Sequence, residues 1–591
     1  MTVAPPSVPS SNPSTQAARV LLQALAALGV ESVVLAPGSR SAPLAYAVAE
    51  AARGDARAAG APGLDVHVRI DERSAGFLAV GLSKGARSAG RSGLVAVVTT
   101  SGTAVANLHP AALEAHHSGL PLLLLTADRP HELRGTGANQ TTEQVGLLEP
   151  VRLMLDVPAP TGRPGEARDL RHLAARSVAA ALGSRTGDPG PVHLNLAFRE
   201  PLVPDDAPWP PPSREGLTSV PGRGATGPLT PAPVTAHLTA AGLSAKVTAT
   251  TVVVAGDHAG PQARRIAEVN GWPLLAEPSS GARGGPNAIP AYRLLLTDER
   301  LGGAVRRAVV LGRPTLSRPV QALLARSDVE TLVIAPHGAA WPDAARAADL
   351  VLTEVPAGML DGTLASAVPG WLLTWQRAGA AALVALDAQA AAGPLTGPAV
   401  AAEVAAAAGP VLVVGSSNPV RDLDLVADWE EPPAVLANRG LAGIDGTLAT
   451  ASGVALALGV PVRAYVGDLT FLHDVGSLLV GSLERRPDLH VVVANDDGGS
   501  IFATLEHGDA RHAEVFERVF GTPHGADLGA LCAGYRVHHQ VVHDAAALRA
   551  ALAEPVTGVS VTEVRLGRAG RRDEAARLGA AVQRAVSDAL A

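Results

Sequence analysis

Three strongly apolar segments each run directly into a glycine-containing turn, and they limit the possible folds more than any other feature of the chain. They are VVLAPGSRS at residues 33–41, VVVAGDHAG at 252–260 and VLVVGSSNP at 411–419. Short runs of this kind alternate with longer Ala- and Leu-rich stretches of helical period, which is typical of parallel sheets covered by helices on both faces. We therefore expect an α/β protein with three doubly wound parallel-sheet domains, whose ligands lie beyond the carboxyl ends of the strands.

Changes in composition along the 591 residues indicate where these domains begin and end. The first residues are rich in Pro and Ser, and we expect them to be disordered. A dense run of Pro, Gly and polar residues after residue 203 is typical of a linker. The predicted organisation is a lead at 1–15, a first domain at 16–203, a linker at 204–233, a central domain at 234–392 and a third domain at 393–591.

The charge and cysteine content exclude several classes of protein. With 48 basic and 55 acidic residues the net charge is -7, which argues against a broad electropositive face for nucleic acid or for an anionic membrane. One cysteine, Cys532, excludes an intrachain disulfide and a cysteine-based metal cluster. The chain begins without the features of a signal peptide and has no long apolar run, so we expect a cytoplasmic protein.

The basic residues are almost all arginine. Lysine occurs only at Lys84 and Lys246. Biased codon usage accounts for this, so an arginine indicates a function only where it lies within a motif.

An acidic residue in the first domain lies in an informative segment, residues 68–115. There Glu72 opens a helix rich in small residues, and a strand and a Ser-Gly-Thr turn follow. Small residues allow another helix to pack closely, as subunit interfaces often require. Glu72 by itself is typical of a carboxylate in the first turn of a helix, where the helix dipole stabilises it.

Two polar clusters follow neighbouring strands of the third domain. Gly467 and Asp468 end one strand, and Asn495, Asp496 and the glycines after them end the next, about 28 positions later. Mg²⁺ prefers oxygen ligands and is usually held by one or two protein groups together with substrate phosphate. The pair of clusters therefore predicts a site for a divalent cation and a phosphate.

Glu72 in the first domain, combined with these two clusters in the third, resembles the three-domain thiamine diphosphate enzymes, in which a pyrimidine-binding domain, a central domain and a diphosphate-binding domain follow one another. Five further segments narrow the resemblance to the 2-succinyl-5-enolpyruvyl-6-hydroxy-3-cyclohexene-1-carboxylate synthase family of menaquinone biosynthesis. They are APGSRSAPLA at 36–45, TSGTAVANLHP at 100–110, LTADRPHELRGTGANQT at 125–141, NRGLAGIDGTLAT at 438–450 and GDLTFLHD at 467–474. The resemblance spans residues 16 to 575, although the central domain carries almost none of it.

This resemblance implies thiamine diphosphate and Mg²⁺ (or Mn²⁺) as cofactors. It places Glu72 as the catalytic residue that hydrogen-bonds N1′ of the aminopyrimidine, and Ile444 as the apolar residue that holds the cofactor bent. The cofactor-binding residues are Glu72, Ile444, Gly467, Asp468 and Gly498, and the metal ligands are Asp468, Asp496 and Gly498. Because Asp496 stands where thiamine enzymes commonly have Asn, the sequence leaves open whether Asn495 or Asp496 binds the metal.

The reaction implied is that of a transferase: decarboxylation of 2-oxoglutarate and 1,4-addition of the decarboxylated unit to isochorismate. Both substrates are dicarboxylates, and arginine grips a carboxylate with two parallel hydrogen bonds. The resemblance assigns substrate binding to Ser39, Arg40, Arg129, Gln140, Arg318, Ser417, Arg421, Arg439, Ile501, Phe502 and Leu505. It also implies a homodimer or homotetramer with active sites between subunits.

Two other functions remain open at this point. Another thiamine enzyme, such as a 2-oxoacid decarboxylase or an acetohydroxyacid synthase, would share the fold, but pyruvate has one carboxylate and needs fewer arginines. A dinucleotide-binding oxidoreductase would also use strand-glycine turns, although no G-x-G-x-x-G follows a strand with an acidic residue about 20 positions later. The central domain contains a second basic set that is either a regulatory anion site or scattered surface charge: Arg264, Arg265, Arg283, Arg306, Arg307 and Arg313.

Overall fold

The computed structural model describes residues 12–52, 59–221, 249–363, 367–391, 393–568 and 570–591. Seventeen strands in these ranges form three sheets in which every pair of neighbouring strands is parallel. Helices accompany each sheet, so the predicted α/β class with three doubly wound parallel sheets is confirmed. Most of the predicted lead (residues 1–11) and part of the predicted linker (residues 222–233) lie outside the described residues.

The first sheet has six strands in the order β2-β1-β3-β4-β6-β5. Its strands are β1 (Ser32–Leu35), β2 (Asp65–Val68), β3 (Val95–Thr99), β4 (Leu122–Asp128), β5 (Leu153–Val157) and β6 (Val192–Ala197). The central strands β3, β4 and β6 are buried along their whole length. Such unbroken burial matches apolar runs without alternation, because helices cover both faces.

The second and third sheets repeat this arrangement with five and six strands, in the orders β11-β10-β9-β7-β8 and β13-β12-β14-β15-β17-β16. The second sheet contains β7 (Thr251–Ala255), β8 (Leu274–Ala276), β9 (Arg307–Leu311), β10 (Glu330–Ile334) and β11 (Leu350–Leu352). The third contains β12 (Val411–Val414), β13 (Ala434–Leu436), β14 (Val462–Gly467), β15 (Leu489–Asn495), β16 (His538–Val542) and β17 (Val559–Arg565).

The α-helices connect and cover these strands. Those of the described residues are α1 (Pro13–Ala27), α2 (Ala42–Glu50), α3 (Glu72–Ser88), α4 (Thr103–Ala106), α5 (His109–Ser118), α6 (Glu166–Ala181), α7 (Pro261–Asn270), α8 (Tyr292–Leu295), α9 (Arg318–Leu324), α10 (Ala357–Leu360), α11 (Trp371–Ala391), α12 (Gly397–Ala406), α13 (Asn418–Val426), α14 (Thr447–Leu458), α15 (Asp468–His473), α16 (Ala513–Phe516), α17 (Leu528–Gly534), α18 (Ala545–Ala553) and α19 (Arg571–Leu590). Within these same ranges, no helix is both long and apolar enough to cross a membrane.

Shorter helical turns fill the remaining connections. They are the 3-10 turns His131–Leu133, Pro278–Ser280, Gly302–Ala304, Val475–Leu478, Ser500–Thr504, Glu506–Gly508 and Ala510–His512, and the π turn Glu517–Gly521. Four of them lie between β15 and β16, together with the short helices α16 and α17.

The chain enters its first helix within the stretch predicted to be a disordered lead. The side chain of Asn12 accepts a hydrogen bond from the Ser14 amide, and Pro13 occupies the first helical position. A capping Asn followed by Pro is a favoured helix start. The described part of the predicted linker, residues 204–221, contains no helix or strand.

The residues group into two compact units. The first comprises Met1–Gly224, Asn438–Val460 and Asp474–Asp488, and the second comprises Ala225–Ala437, Pro461–His473 and Leu489–Ala591. The second and third sheets both belong to the second unit. Helix α14 belongs to the first unit, although the chain reaches it between two strands of the third sheet.

Glycines allow α3 and α14 to approach each other closely inside the first unit. A β-carbon at Gly81 would lie 2.0 Å from the carbonyl oxygen of Thr450, and one at Gly453 would lie 2.3 Å from that of Leu78. Any larger residue would therefore force the two helices apart. The small residues of α3 permit the close packing predicted for them, and the helix that they contact comes from this chain.

Candidate active site

The first group of predicted substrate residues surrounds Ser101, two residues beyond the end of β3. Arg129 Nη1 donates a hydrogen bond to Ser101 Oγ at 2.5 Å, and Ser101 Oγ donates to the carbonyl oxygen of Gln140 at 2.9 Å. The Gln140 side-chain amide donates in return to the Ser101 carbonyl oxygen at 2.9 Å. The structure thus brings Arg129 and Gln140 together through Ser101, which was not among the predicted site residues.

Arg40 adds a second positive charge near Arg129. Its Nη1 donates to the carbonyl oxygen of Phe198 at 3.1 Å and lies 3.6 Å from the exposed carboxylate of Glu200. Burial and then the charge of Arg40 lower the pKa of the Arg129 guanidinium below its ordinary value. Two guanidinium groups in this arrangement suit an anionic ligand such as a carboxylate. Ser39, the preceding residue, is exposed.

A buried polar network supports this cluster from below. The Gln144 side chain accepts from the Gly102 amide at 2.9 Å and donates to Asn195 Oδ1 at 2.7 Å. Asn195 Nδ2 in turn donates to Asp128 Oδ2 at 2.9 Å. A fully paired buried network is rigid, so the Ser101 turn and the end of β4 are fixed relative to each other. A polar Asn inside the apolar strand β6 was the sequence signal for this network.

Glu72 is the first residue of α3. The preceding residue, Asp71, caps the helix by accepting a hydrogen bond from the Arg73 amide at 2.9 Å. Glu72 itself is half-buried and lies in the first turn of the helix.

Arg439 and Ile444 lie in the loop between β13 and α14, which belongs to the first unit. Arg439 is 4% exposed and Ile444 is half-buried. The loop closes at Gly446, where a β-carbon would lie 1.9 Å from the ring of Phe77 on α3. Only a glycine at this position, with its φ of +57°, lets the loop pass so close to the aromatic ring.

In the second unit, Asp468 follows the end of β14 and is almost fully buried. Its Oδ1 accepts from the Leu469 amide at 2.6 Å and its Oδ2 accepts from the Gly498 amide at 2.9 Å. Burial raises the pKa of Asp468 above its ordinary value, although these amides oppose the shift. His524 Nε2 lies 3.3 Å from Asp468 Oδ2, a contact that sequence reasoning missed because the two residues are far apart in the chain.

Asp496 and Asn495 differ in what their side chains contact. Asn495 Nδ2 donates to Glu563 Oε1 at 2.7 Å, and its Oδ1 accepts from the Asp497 amide at 3.0 Å. Burial and the charge of Asp468 raise the pKa of Asp496 to about 7. The carboxylate of Asp496 therefore lies near Asp468, while the amide of Asn495 is occupied by its neighbours.

The chemistry of this donor set fits a divalent cation. Asp468 is buried and Asp496 is half-buried, and the charge of Asp468 raises the pKa of Asp496. A cation between the two carboxylates would relieve this repulsion, and both offer the oxygen ligands that Mg²⁺ prefers. Across the described ranges, no group of three or more His, Cys, Asp or Glu side chains is arranged to hold a metal. A Mg²⁺ site with two carboxylates, a carbonyl oxygen and phosphate oxygens needs no such group.

The backbone after Asp496 packs closely against the backbone at Gly521. Gly498 has a φ of +138°, and a β-carbon there would lie 2.0 Å from the carbonyl oxygen of Gly521. The neighbouring Gly499 amide donates to the same carbonyl oxygen at 2.7 Å. Glycine is required at position 498 because any side chain would collide with this backbone. A β-carbon at Gly467 would lie 4.0 Å from the Pro419 ring, in ordinary van der Waals contact.

Ser417 and Arg421 flank the turn after β12. Ser417 has a φ of +73°, and Arg421 Nη1 donates to its carbonyl oxygen at 2.9 Å. Between them, Asn418 Nδ2 donates to Ser500 Oγ at 2.7 Å, and Ser500 in turn hydrogen-bonds to Asp496. This chain of contacts brings Ser417 and Arg421 to the same sheet end as the two carboxylates.

Arg318 pairs with an acidic side chain of its own unit. Its Nη1 and Nη2 lie 2.7 Å and 3.3 Å from the two carboxylate oxygens of Glu506, and both side chains are about 70% exposed. Phe502 lies 5.6 Å from Phe520 between ring centres. The predicted apolar residues Ile501 and Leu505 are half-buried in the same run of short helical turns.

The second basic set, in the central domain, forms internal ion pairs. These include Arg264 with Glu268, Arg283 with Asp424, Arg306 with Asp328 and Arg307 with Glu330. Because these guanidinium groups already face carboxylates, the structure favours structural and surface charge over an anion site here.

Two families match parts of this chain. Residues 15–147 match the thiamine pyrophosphate enzyme N-terminal TPP binding domain, and residues 418–564 match the C-terminal TPP binding domain. The match therefore covers the strand ends of the first and third sheets that carry the predicted residues.

Curated relatives match nearly the whole chain. A 2-succinyl-5-enolpyruvyl-6-hydroxy-3-cyclohexene-1-carboxylate synthase from Kineococcus radiotolerans is 50% identical, covering 98% of this chain and 100% of the relative. A protein of the same name from a Nocardioides species is 48% identical, covering 96% of this chain and 97% of the relative. Among solved structures, benzoylformate decarboxylase from Polynucleobacter necessarius has a TM-score of 0.67 at 18% identity, covering 94% of this chain and 99% of that one, which supports the fold.

Proposed function

Because the chain belongs to the 2-succinyl-5-enolpyruvyl-6-hydroxy-3-cyclohexene-1-carboxylate synthase family, we propose specific roles for its residues in that reaction. The protein is a thiamine diphosphate-dependent transferase of menaquinone biosynthesis. It converts 2-oxoglutarate and isochorismate into the product that names the family, with release of carbon dioxide.

Thiamine diphosphate, when bound, supplies the electron sink that allows the carboxylate of a 2-oxo acid to leave as carbon dioxide. Glu72 is the catalytic residue that accepts a hydrogen bond from N1′ of the aminopyrimidine and holds a proton there. Its place at the amino end of α3 supports this role, because the capped first turn of the helix fixes the position of the residue. Ile444 supplies an apolar contact that orients the cofactor.

A divalent cation, Mg²⁺ or Mn²⁺, is held by the carboxylates of Asp468 and Asp496 and by the carbonyl oxygen of Gly498. Gly467 and Gly498 are the cofactor-binding residues beside this cation. We favour Asp496 over Asn495 as the ligand, because the side chain of Asn495 already serves Glu563 and Asp497.

The substrates are bound by cationic and hydrogen-bonding side chains at the strand ends. In the first unit these are Ser39, Arg40, Arg129, Gln140 and Arg439. In the second unit Ser417, Arg421 and Arg318 bind substrate carboxylates, and Ile501, Phe502 and Leu505 form an apolar wall. We propose that the active molecule is a homodimer or homotetramer with its active sites between subunits.

One observation carries the choice of dicarboxylate substrates: Arg40 and Arg129 are held close together, despite their like charge, by Ser101, Gln140 and the Phe198 carbonyl. Keeping two cations together in a partly buried place is unfavourable unless an anion joins them. The Glu200 carboxylate, 3.6 Å from Arg40, is exposed, so a substrate carboxylate can take its place. A substrate with one carboxylate makes less use of such a cluster than 2-oxoglutarate or isochorismate.

A substrate comparison tests this function. We expect carbon dioxide release from 2-oxoglutarate that depends on thiamine diphosphate and a divalent cation, and product formation only when isochorismate is also present. Faster turnover of pyruvate than of 2-oxoglutarate would contradict the proposal and favour another thiamine enzyme.

A further inference from the structure

Lys84 is a buried lysine in a chain whose basic residues are almost all arginine. It lies in the interior of α3 with its side chain only 2% exposed, and its Nζ is 3.6 Å from Glu114 Oε1 on α5. The Glu114 side chain is 5% exposed. A buried ion pair is costly to maintain and adds little to stability compared with apolar residues of the same volume, so this pair calls for a role beyond packing.

Glu114 holds the loop that carries Arg439. Its Oε1 accepts from the Gly440 amide at 3.0 Å, and its Oε2 accepts from the Leu441 amide at 3.0 Å. Ser118 Oγ also donates to Oε1, at 2.8 Å. Two successive backbone amides bound to one carboxylate fix both the position and the direction of the loop.

The loop can reach Glu114 only because residue 440 is glycine. A β-carbon there would lie 2.7 Å from both the carbonyl oxygen and Oε2 of Glu114, and 2.8 Å from Ser118 Oγ. The contact is therefore close, buried and charged. Arg439, proposed to bind substrate, directly precedes this contact in the chain, and Ile444, proposed to contact the cofactor, follows it.

Lysine suits this position. The ammonium group is a compact charge on a flexible stem, whereas guanidinium is larger and planar. A compact charge fits the almost fully buried place that Lys84 occupies beside Glu114.

We propose that Lys84 and Glu114 are positioning residues for substrate binding: Lys84 holds the Glu114 carboxylate in place through their buried ion pair, and Glu114 holds the loop at Gly440 and Leu441 so that Arg439 meets a substrate carboxylate. This inference rests on the proposed substrate role of Arg439. Neither Lys84 nor Glu114 touches the substrate in this arrangement.

The decisive variants separate loop positioning from stability in the cofactor-loaded enzyme. Lys84→Met with Glu114→Gln removes both charges at similar volume, so we expect a melting temperature close to that of the unchanged protein. A glutamine at position 114 has one acceptor oxygen instead of two. Its NH₂ group would face one of the two backbone N–H groups and could not accept a hydrogen bond from it. Because a small misplacement of a binding group is costly, we expect the KM of at least one of the two substrates to rise by about tenfold or more.

Glu114→Asp provides a second route if the double variant does not fold. It keeps the negative charge beside Lys84 but is one methylene shorter, so it cannot reach both amides, and we expect the same rise in KM with little loss of stability. Glu50→Gln is the matched control, because Glu50 pairs with the buried Arg19 in the same unit; it should leave the KM of both substrates unchanged.

Unchanged KM values for both substrates in the folded double variant or in Glu114→Asp would overturn the inference. Arg439→Gln separates this failure from failure of the proposed function. If Arg439→Gln raises a substrate KM and the Glu114 variants do not, only the positioning role is wrong. If Arg439→Gln has no effect, the substrate role of Arg439 is wrong, and the positioning role falls with it.

Discussion

The first and third sheets present opposite charges at equivalent places. At the carboxyl ends of the first sheet, Arg129 donates to Ser101 and lies near the charge of Arg40. At the carboxyl ends of the third sheet, the charge of Asp468 raises the pKa of Asp496. Parallel α/β sheets bind ligands at this edge whatever the side chains are, so the fold fixes where binding occurs and a few residues fix what is bound.

The same comparison shows how each charge is kept in place. The Ser101 hydroxyl and the Phe198 carbonyl accept hydrogen bonds from Arg129 and Arg40, respectively. Backbone amides donate hydrogen bonds to Asp468. In both places the supporting groups leave the charge available to a ligand of opposite sign. If the first sheet end binds substrate and the third binds the cofactor, a substitution at one end should spare the binding at the other.

Replacing Glu72 by Gln should have the largest effect. The amide cannot hold the proton of N1′ as the carboxylate does, so we expect the rate of 2-oxoglutarate decarboxylation to fall by up to about 10⁴-fold. Carbon dioxide release in single-turnover assays would measure this. Asp71→Asn, which alters the adjacent helix cap, is the control and should retain most activity; a Glu72→Gln enzyme with near-normal turnover would contradict the role of Glu72.

Replacing Asp468 by Asn should mainly weaken cofactor binding. Loss of outer partners of a metal site costs about 10- to 100-fold in affinity, and loss of a ligand should cost at least as much. Titration with thiamine diphosphate at fixed Mg²⁺ would measure this, and a chelator should abolish activity of the unchanged enzyme. Asp497→Asn, whose carboxylate accepts from the His524 and Gly525 amides, should leave the metal dependence intact.

Replacing Arg129 by Gln should affect the substrates and spare the cofactor. A hydrogen bond to a charged group is worth about 1.5–3 kcal/mol, so kcat/KM should fall about 10- to 100-fold while the affinity for thiamine diphosphate stays unchanged. Arg163→Gln, which removes an exposed arginine of the same unit, is the control. Equal losses of substrate and cofactor affinity would show that the two sheet ends do not act separately.

The two sheets also bury equivalent histidines, and these predict a pH effect on stability. His193 and His490 are each the second residue of a strand, each contacts a threonine hydroxyl (Thr126 at 2.7 Å, Thr562 at 2.9 Å), and burial lowers the pKa of each to about 4. Between pH 6.5 and 4 the unfolded chain binds more protons than the folded chain, so stability falls as the pH is lowered through this window.

At pH 5 each histidine should lower the free energy of unfolding by about 2 kcal/mol relative to pH 7. Urea unfolding at the two pH values would measure this. His193→Gln and His490→Gln should each reduce, by about one, the difference in the number of bound protons between the unfolded and the folded chain. An unchanged pH dependence in either variant would mean that the corresponding ring is protonated in the folded protein.

Replacing Glu506 by Gln should have the smallest effect and the opposite sign. Exposed ion pairs contribute little, so freeing Arg318 should lower the KM of a substrate that it binds by at most about fivefold. Steady-state kinetics with each substrate in turn would detect this. The comparable exposed pair of Glu132 with Arg199 provides the control, and a rise in KM for Glu506→Gln would show that the pair itself supports binding.

The sequence predicted the features that depend on local pattern. Apolar runs ending in glycine turns predicted three parallel sheets, and the spacing of Asp468 and Asp496 placed two carboxylates at neighbouring strand ends. Contacts between distant residues gave no such signal. The hydrogen bond of Ser101 to Arg129, the contact of His524 with Asp468 and the hold of Glu114 on the loop at Gly440 each depend on how separate elements meet.

The pairing of Arg318 with Glu506 shows a second limit. The family resemblance predicted a substrate role for Arg318, but the sequence could not show that its guanidinium faces the Glu506 carboxylate. The sequence also could not decide whether Asn495 or Asp496 binds the metal. Adjacent residues at the end of a strand differ in the direction of their side chains, which the sequence does not show. The hydrogen bonds of Asn495 supply that direction.

The first unit is built from three separate segments of the chain, so it cannot be completed early in translation. Helix α3 leaves the ribosome early, but its glycine-lined partner α14 is made only after the whole central domain. Domains generally fold as units during synthesis, amino-terminal ones first, yet this one cannot complete its core until about residue 488 has emerged. The nascent chain must therefore carry an exposed apolar helix face through most of translation, and the expressed yield of this protein should depend on chaperones that cover such a face.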